Sequence, residues 1–411
     1  MKRVVVTGIG AVTPIGNDIN ETWKNMCDGV CGINTITRFD SSDLAVHVAG
    51  EVKDFDATKY IEKKEIRKTD LYCQYALAAA AQAVEDSKVL GTVDEKRFGV
   101  YVGAGIGGLI TFVENTQAFY NGGPRKVSPH FIPKMIGNIA AGRIAIEYKA
   151  KGPTLAPVSA CATGANAVGE AFHAIKDGYA DVVITGGAEA VIHPLTIAGF
   201  TNCKALSTTE DPKKASIPFD VDRNGFVMGE GAGMLVLEEY EHAKARGAKI
   251  YAEFVGYGNT CDAHHVTAPD PEAEGLAEAI RIAFEEGNVT DNDSIYINAH
   301  GTSTHMNDVT ETMAIKKALG DKAKEISVSS TKSMTGHILG ATGAVEAIVA
   351  VLALQEGKIP PTIGTTNVDP ECDLDYTVGN KAVEKKITVS ASTNLGFGGH
   401  DTCVVFKAIT E

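Results

Sequence analysis

The 411-residue chain has a single tryptophan, Trp23, no proline-rich or charged linker, no low-complexity tract and no uninterrupted apolar run of membrane-spanning length. Each absence excludes something. Without a span-length run no transmembrane helix is expected; the longest candidate, near Ala344 to Leu354, carries Glu346 and reads as an amphipathic helix. Without a linker, two halves packed into one body are expected rather than two mobile domains. Basic residues are in deficit: 38 Lys and Arg against 52 Asp and Glu give a net charge of −14, which argues against a general nucleic-acid or membrane-surface binder. No leader-like segment precedes the strand pattern at Lys2-Arg-Val-Val-Val-Thr, so a cytoplasmic location is expected. The eight cysteines lie at irregular positions and read as reduced thiols, and no His/Cys spacing, His264-His265 with His305 included, fits a zinc site.

What is present is an alternation of strand and helix patterns, which predicts an α/β fold. Short apolar runs at Lys2 to Gly8, Phe98 to Gly103, Asp181 to Gly187 and Ala232 to Leu237 alternate with helical periodicity at Asp70 to Val84, Met135 to Glu147 and Ala162 to Ile175. Near Tyr251 the rhythm restarts and runs to Lys407. Residues 1–252 and 253–411 therefore read as two halves of one architecture, although no strict sequence repeat is visible and the duplication rests on element order.

Gly103-Ala-Gly105-Ile106-Gly-Gly108 follows a strand with G-x-G-x-x-G spacing, which invites a dinucleotide-binding reading. The context opposes it, because that motif belongs to the first strand and needs an acidic residue at the end of the next, whereas Glu114 falls within the helix itself. Chemistry is better placed elsewhere. Cys161 stands where an extended segment, Thr154 to Ser159, turns into a Gly- and Ala-rich helix, and a helix N-terminus favours a thiolate. His300, in Asn298-Ala-His-Gly-Thr302-Ser-Thr304, and His337, in Lys332-Ser-Met-Thr-Gly-His, each follow a buried strand. If those strands are parallel neighbours, both imidazoles converge on the rim where α/β sheets place ligands. A cysteine at a helix start with two such histidines suggests acyl chemistry.

Ser159-Ala-Cys161-Ala-Thr-Gly, His300-Gly-Thr-Ser-Thr, Lys332-Ser-Met-Thr-Gly-His337 and Gly396-Phe397-Gly-Gly resemble, in order, the signature motifs of the β-ketoacyl-acyl carrier protein synthases, and the resemblance covers essentially the whole chain. Gly103 to Gly108, Asn121-Gly-Gly-Pro-Arg125-Lys126 and Asp222-Arg-Asn-Gly-Phe-Val-Met-Gly-Glu-Gly most resemble the synthase II subtype. The resemblance implies a thiolase fold, two similar halves in a five-layer αβαβα body, usually a homodimer. It implies a decarboxylative Claisen condensation between an acyl group on Cys161 and malonyl-acyl carrier protein, the elongation step of type II fatty-acid synthesis. His300 and His337 would hold the enolate, Lys332 would orient them, and the backbone N–H groups of Cys161 and Phe397 would form the oxyanion hole. Glu311 and Asp308 are the candidate counter-charges for Lys332.

By the same resemblance Thr302, Thr304 and, more weakly, Thr267 would hold the phosphopantetheine arm, and Ile106 would gate the acyl pocket. Arg67, Lys68, Arg125, Lys126 and Lys204 would receive the acidic carrier protein. No cofactor is expected beyond the phosphopantetheine that carries the substrates. Three places depart from the pattern: Thr393-Asn394-Leu395 where Asn-Ser-Phe is common, His400-Asp401 where Thr-Asn or His-Asn is common, and His305 where proline is common. The alternatives are a polyketide or aryl-polyene ketosynthase, a thiolase, which would carry a second cysteine and one histidine, and a non-catalytic partner subunit, which would lack the nucleophile.

Overall fold

Strand β1 (Val4–Val12) is buried along its whole length because it has strands on both sides and helices on both faces, which is why its sequence reads as a nearly unbroken apolar run. A computed structural model describes residues 1–409; the last two residues of the expected second half lie outside it. Nine further strands join β1: β2 (Phe98–Gly103), β3 (Thr154–Leu155), β4 (Val182–Glu189), β5 (Gly231–Glu239), β6 (Ala252–Cys261), β7 (Ile295–Asn298), β8 (Ser327–Ser329), β9 (Val389–Gly396) and β10 (His400–Lys407). Across the sheet they run β8-β7-β9-β10-β6-β1-β5-β4-β2-β3.

That order is two copies of one pattern. Read outward from the centre, β1-β5-β4-β2-β3 matches β6-β10-β9-β7-β8 position by position, and the senses match too: β1·β5 and β4·β5 are antiparallel with β4·β2 parallel, as β6·β10 and β9·β10 are antiparallel with β9·β7 parallel. The copies join where β1 meets β6, through the pairs Val4 to Phe254, Val5 to Glu253 and Val6 to Ala252.

Helices complete five layers of a thiolase fold. The outer ones are α2 (Leu71–Ser87), packed on β1, β5 and β4, and α6 (Glu274–Glu286), packed on β6 and β10. Between the half-sheets lie α5 (Thr163–Lys176) and α8 (Thr342–Glu356), which touch each other and strands of both copies. The other helices of nine or more residues are α1 (Ile19–Cys27), α3 (Leu109–Gly122), α4 (Ile139–Tyr148), α7 (His305–Leu319) and, between β4 and β5, the helix Pro194–Asn202.

The layers explain sequence features that carried no meaning alone. Gly8 and Gly10 of β1 face α2 so closely that an added Cβ would lie 2.1 Å from the Ala83 carbonyl and 2.2 Å from that of Ala79. Gly256 and Gly258 of β6 stand in the same relation to Ala283 and Ala279 of α6, at 1.9 and 1.8 Å. At the centre, a Cβ on Gly164 would lie 2.7 Å from the Ala344 nitrogen and one on Gly343 2.6 Å from the Ala165 nitrogen. A short repeat is therefore present after all: Ala162-Thr-Gly-Ala165 opens α5 and Ala341-Thr-Gly-Ala344 opens α8. Each follows a residue at positive φ, Ala160 at 50° and Leu339 at 49°.

The expectation for α8 needs correction. It is not amphipathic, since every residue from Thr342 to Leu354 is buried, Glu346 included. Among the described residues one helical stretch, Leu339–Glu356, has the length and apolarity to cross a membrane, and 89% of it is buried inside the protein. All eight cysteines are unpaired.

Candidate active site

The start of α5 carries Cys161 in a 3₁₀ turn, Ala160–Ala162, at the floor of a cleft of about 350 Å³. The cleft is lined by residues from both copies. β7 and β8 are parallel neighbours, and the segments beyond them deliver His300 and His337 to one place, with ring centroids 5.2 Å apart and planes at 89°. Phe397 arrives on the β9–β10 turn, where Gly398 and Gly399 adopt φ of 98° and 78° and Gly396 passes against the Ser159 carbonyl. The backbone N–H groups of Phe397 and of Cys161 itself point at the thiol. Thr302, Thr304 and Thr267 line the same cleft, the first two joined by a 2.9 Å hydroxyl contact, and the exposed Lys204 stands at its mouth.

Electrostatics there departs from the helix-terminus argument. Burial pushes the Cys161 thiol up to about 12; the Lys332 charge and the two N–H groups pull it down but do not win. Desolvation outweighs a half-charge at a helix end when the sulfur is enclosed on all other sides, so the resting group is the thiol. The same burial, with Lys332 nearby, holds both histidines well below the usual imidazole value, so they are neutral. His337 Nδ1 lies 3.1 Å from the Thr342 hydroxyl, and Phe226 packs edge-on against its ring at 5.1 Å.

The partner of Lys332 is neither expected carboxylate. Its Nζ donates to Glu346 Oε1 at 2.5 Å, both groups being fully enclosed. Glu311 instead accepts from the backbone N–H of His300 and of Gly301 and from the Thr393 hydroxyl, each at 2.7 Å, so it braces the His300 turn. Asp308 is committed to Arg223, at 3.3 Å, and to the Phe219 N–H at 2.8 Å. In the sequence Glu346 looks like the solvent face of an apolar helix; a lone Glu among small and aliphatic residues is the one signal there of its buried role.

Ile106 does not line this cleft and is 42% exposed. The backbone around it is pinned by Glu189 at the end of β4, whose carboxylate accepts the N–H groups of Gly105, Ile106, Gly107 and Gly340 at 2.8 to 3.2 Å. The glycine loop is thus an anion cradle already filled by an internal carboxylate, which accounts physically for the failure of the dinucleotide reading. Arg67, Arg125 and Lys126 are exposed but do not line the cleft, and Lys68 is paired with Glu65 at 2.7 Å. Among the described residues no group of three or more His, Cys, Asp or Glu is arranged to hold a metal.

The three departures from the family pattern all lie at or near the cleft. His305 opens α7 with its Nδ1 3.0 Å from an Arg223 nitrogen, and Arg223 is in turn bound to Asp369 at 2.7 Å. Asn394 lies behind His300. Asp401 is buried against Asp262, a residue of the cleft wall, and neither of its oxygens has a hydrogen-bond donor.

A cysteine at a helix start, two neutral histidines and converging N–H groups, set between two copies of one half-fold, define a thiolase-fold condensing enzyme. The chain belongs to the beta-ketoacyl synthase family: the family's N-terminal domain matches residues 1–243 and its C-terminal domain residues 251–366. Over 408 residues it is 52% identical to the 3-oxoacyl-[acyl-carrier-protein] synthase 2 of Synechocystis sp., covering 99% of this chain and 98% of that one. It is 51% identical over 407 residues to the same-named protein of Staphylococcus aureus, with the same coverage. Among solved structures it resembles a beta-ketoacyl synthase from Burkholderia phymatum, at TM-score 0.91 and 33% identity over the whole of both chains. At TM-score 0.91 and 34% identity, again over both full chains, it also resembles a type II PKS ketosynthase solved with its acyl-carrier protein.

Proposed function

We propose that this protein is a 3-oxoacyl-acyl carrier protein synthase that condenses an acyl chain held on Cys161 with malonyl-acyl carrier protein. The observation that carries the reading is the convergence of Cys161, His300, His337 and the Phe397 loop on one cleft, in a chain about half identical over its whole length to synthases of that name. In the first half-reaction Cys161 Sγ attacks the acyl thioester carbonyl, and the oxyanion takes hydrogen bonds from the N–H groups of Cys161 and Phe397. The new C–S bond forms, the carrier C–S bond breaks, and the thiol proton ends on the departing pantetheine sulfur.

In the second, the malonyl C–C bond breaks and carbon dioxide leaves. The resulting enolate oxygen is held by His300 and His337, neutral imidazoles that can donate to it in an enclosed site. The enolate carbon then attacks the acyl-Cys161 carbonyl, the C–S bond breaks, and Cys161 leaves as a thiolate that is reprotonated from solvent. No cofactor enters either step. Lys332 and Glu346 position the histidines, Thr302, Thr304 and Thr267 hold the pantetheine arm, and Lys204 at the mouth, with Arg67, Lys68, Arg125 and Lys126, receives the carrier protein. The protein acts in the cytoplasm as a homodimer. The outer edge of β3, where Leu155 and the following Val158 are exposed beside Ile146 of α4, is the face that pairs.

A polyketide role shares every catalytic residue; the likeness to PKS ketosynthases favours it, and the much higher identity to fatty-acid synthases outweighs it. The test is an elongation assay with a series of acyl-carrier proteins beside the matching coenzyme A esters. Elongation on the carrier, acyl label at Cys161 alone, none in Cys161→Ala and no carbon dioxide release by His300→Ala are expected. Label elsewhere, or turnover by either variant, would overturn the mechanism.

A further inference from the structure

A neutral imidazole can donate from only one nitrogen, and which one is fixed by the partner of the other. His300 Nδ1 faces the Asn394 amide nitrogen at 3.4 Å, and the same nitrogen lies 2.7 Å from Glu346 Oε2. Lys332 donates to the other oxygen of Glu346, and in this structure the Asn394 amide turns its NH₂ toward Oε2. The Asn394 carbonyl then has no donor at all and is pressed toward Gly343, where a Cβ would lie 2.7 Å from it. An orphaned buried carbonyl is rare and needs a reason, and here the opposite end of the same amide faces two acceptors.

We propose that Asn394 is the positioning residue that sets the His300 tautomer: its Nδ2 gives one hydrogen to Glu346 Oε2 and the other to His300 Nδ1, which places the imidazole proton on Nε2. An amide nitrogen never accepts, so Nδ1 cannot carry the proton, and Nε2–H is left to act in the cleft that His300 lines. The chain Lys332, Glu346, Asn394, His300 is thereby one oriented relay of hydrogen bonds that ends on the group holding the enolate. A serine, the residue that the family resemblance leads one to expect here, has one hydroxyl hydrogen and cannot donate to both acceptors.

The inference rests on the condensing-enzyme reading, and two measurements separate their failures. In the wild-type protein with ¹⁵N-labelled histidine, NMR is expected to find the His300 proton on Nε2, a readout independent of turnover; a proton on Nδ1 overturns the proposal. In Asn394→Ala the Nδ1-protonated form is expected to appear. Malonyl decarboxylation kcat should then fall by about 10- to 100-fold, while the malonyl-carrier KM and the rate of Cys161 acylation stay within about 3-fold. A parallel loss of both half-reactions, or an unchanged tautomer, overturns it. Asn394→Ser, should the alanine variant not fold, is expected to show a smaller Nε2-protonated fraction and slower decarboxylation than wild type, and identity to wild type in both overturns the role. A wild-type protein that never decarboxylates malonyl-carrier protein would instead sink the condensing-enzyme reading.

Discussion

At Cys161 a helix start and a buried setting pull the thiol in opposite directions, and burial prevails. The consequence is measurable: alkylation of Cys161 by iodoacetamide should be slow at pH 7 and keep rising through pH 10, because the reactive thiolate fraction is still growing there. A plateau below pH 8 would show that the helix terminus and Lys332 dominate. Lys332 and Glu346 pose a second residue-scale question. Glu346→Ala would leave a buried ammonium without its hydrogen-bonded partner, which is expected to cost about 3–5 kcal/mol in urea unfolding, whereas breaking an exposed pair such as Lys24–Asp28 should cost far less. Equal small losses would mean that water reaches Lys332. The sequence exposed the residue types at these positions but not their pairing. Glu346 lies nearer to Lys332 along the chain than Glu311 does, but only its position on the central helix α8 shows that it is the carboxylate Lys332 donates to.

Among the elements, the β9–β10 hairpin matters most, because its turn carries Phe397 and its second strand carries Asp401. Asp401 is held up to about 9, chiefly by burial and then by the Asp262 carboxylate. Its pKa in the unfolded chain is near the ordinary 3.8, so the folded form keeps a proton that the unfolded form loses. The resulting penalty is absent below pH 4, grows as pH rises, and is complete above pH 9. Asp401→Asn is therefore expected to raise Tm at pH 8, by an amount corresponding to a few kcal/mol, and to leave it nearly unchanged at pH 4. A gain of equal size at both pH values would refute the ionisation argument. The strands and most helices are legible from periodicity, since β1, β2, β4 and β5 carry apolar runs and are buried along nearly their whole length, and α2 is alanine-rich. Helix α8 differs from the expected amphipathic pattern because it is buried all round, and its Glu346 meets Lys332 rather than solvent.

For the whole molecule, the sheet ends on β3, a two-residue strand whose residues are both exposed, with an apolar surface beside it. An unpaired edge of that kind is a pairing site. The protein is expected to sediment at about twice the chain mass, and Leu155→Lys with Val158→Lys to shift it toward monomer; a wild-type monomer at micromolar concentration would remove the homodimer. Local periodicity was enough for the α/β class, and the short motifs around Cys161, His300, Lys332 and Phe397 were enough for the family. What only the tertiary structure decided is which groups face one another. The internal repeat became visible when Gly164 and Gly343 were seen to cross, the glycine loop was found occupied by Glu189, Ile106 lay outside the cleft, and the Lys332 charge was met by Glu346. Most of these are contacts between segments far apart along the chain, and the energies of all of them depend on burial and distance, which periodicity does not encode.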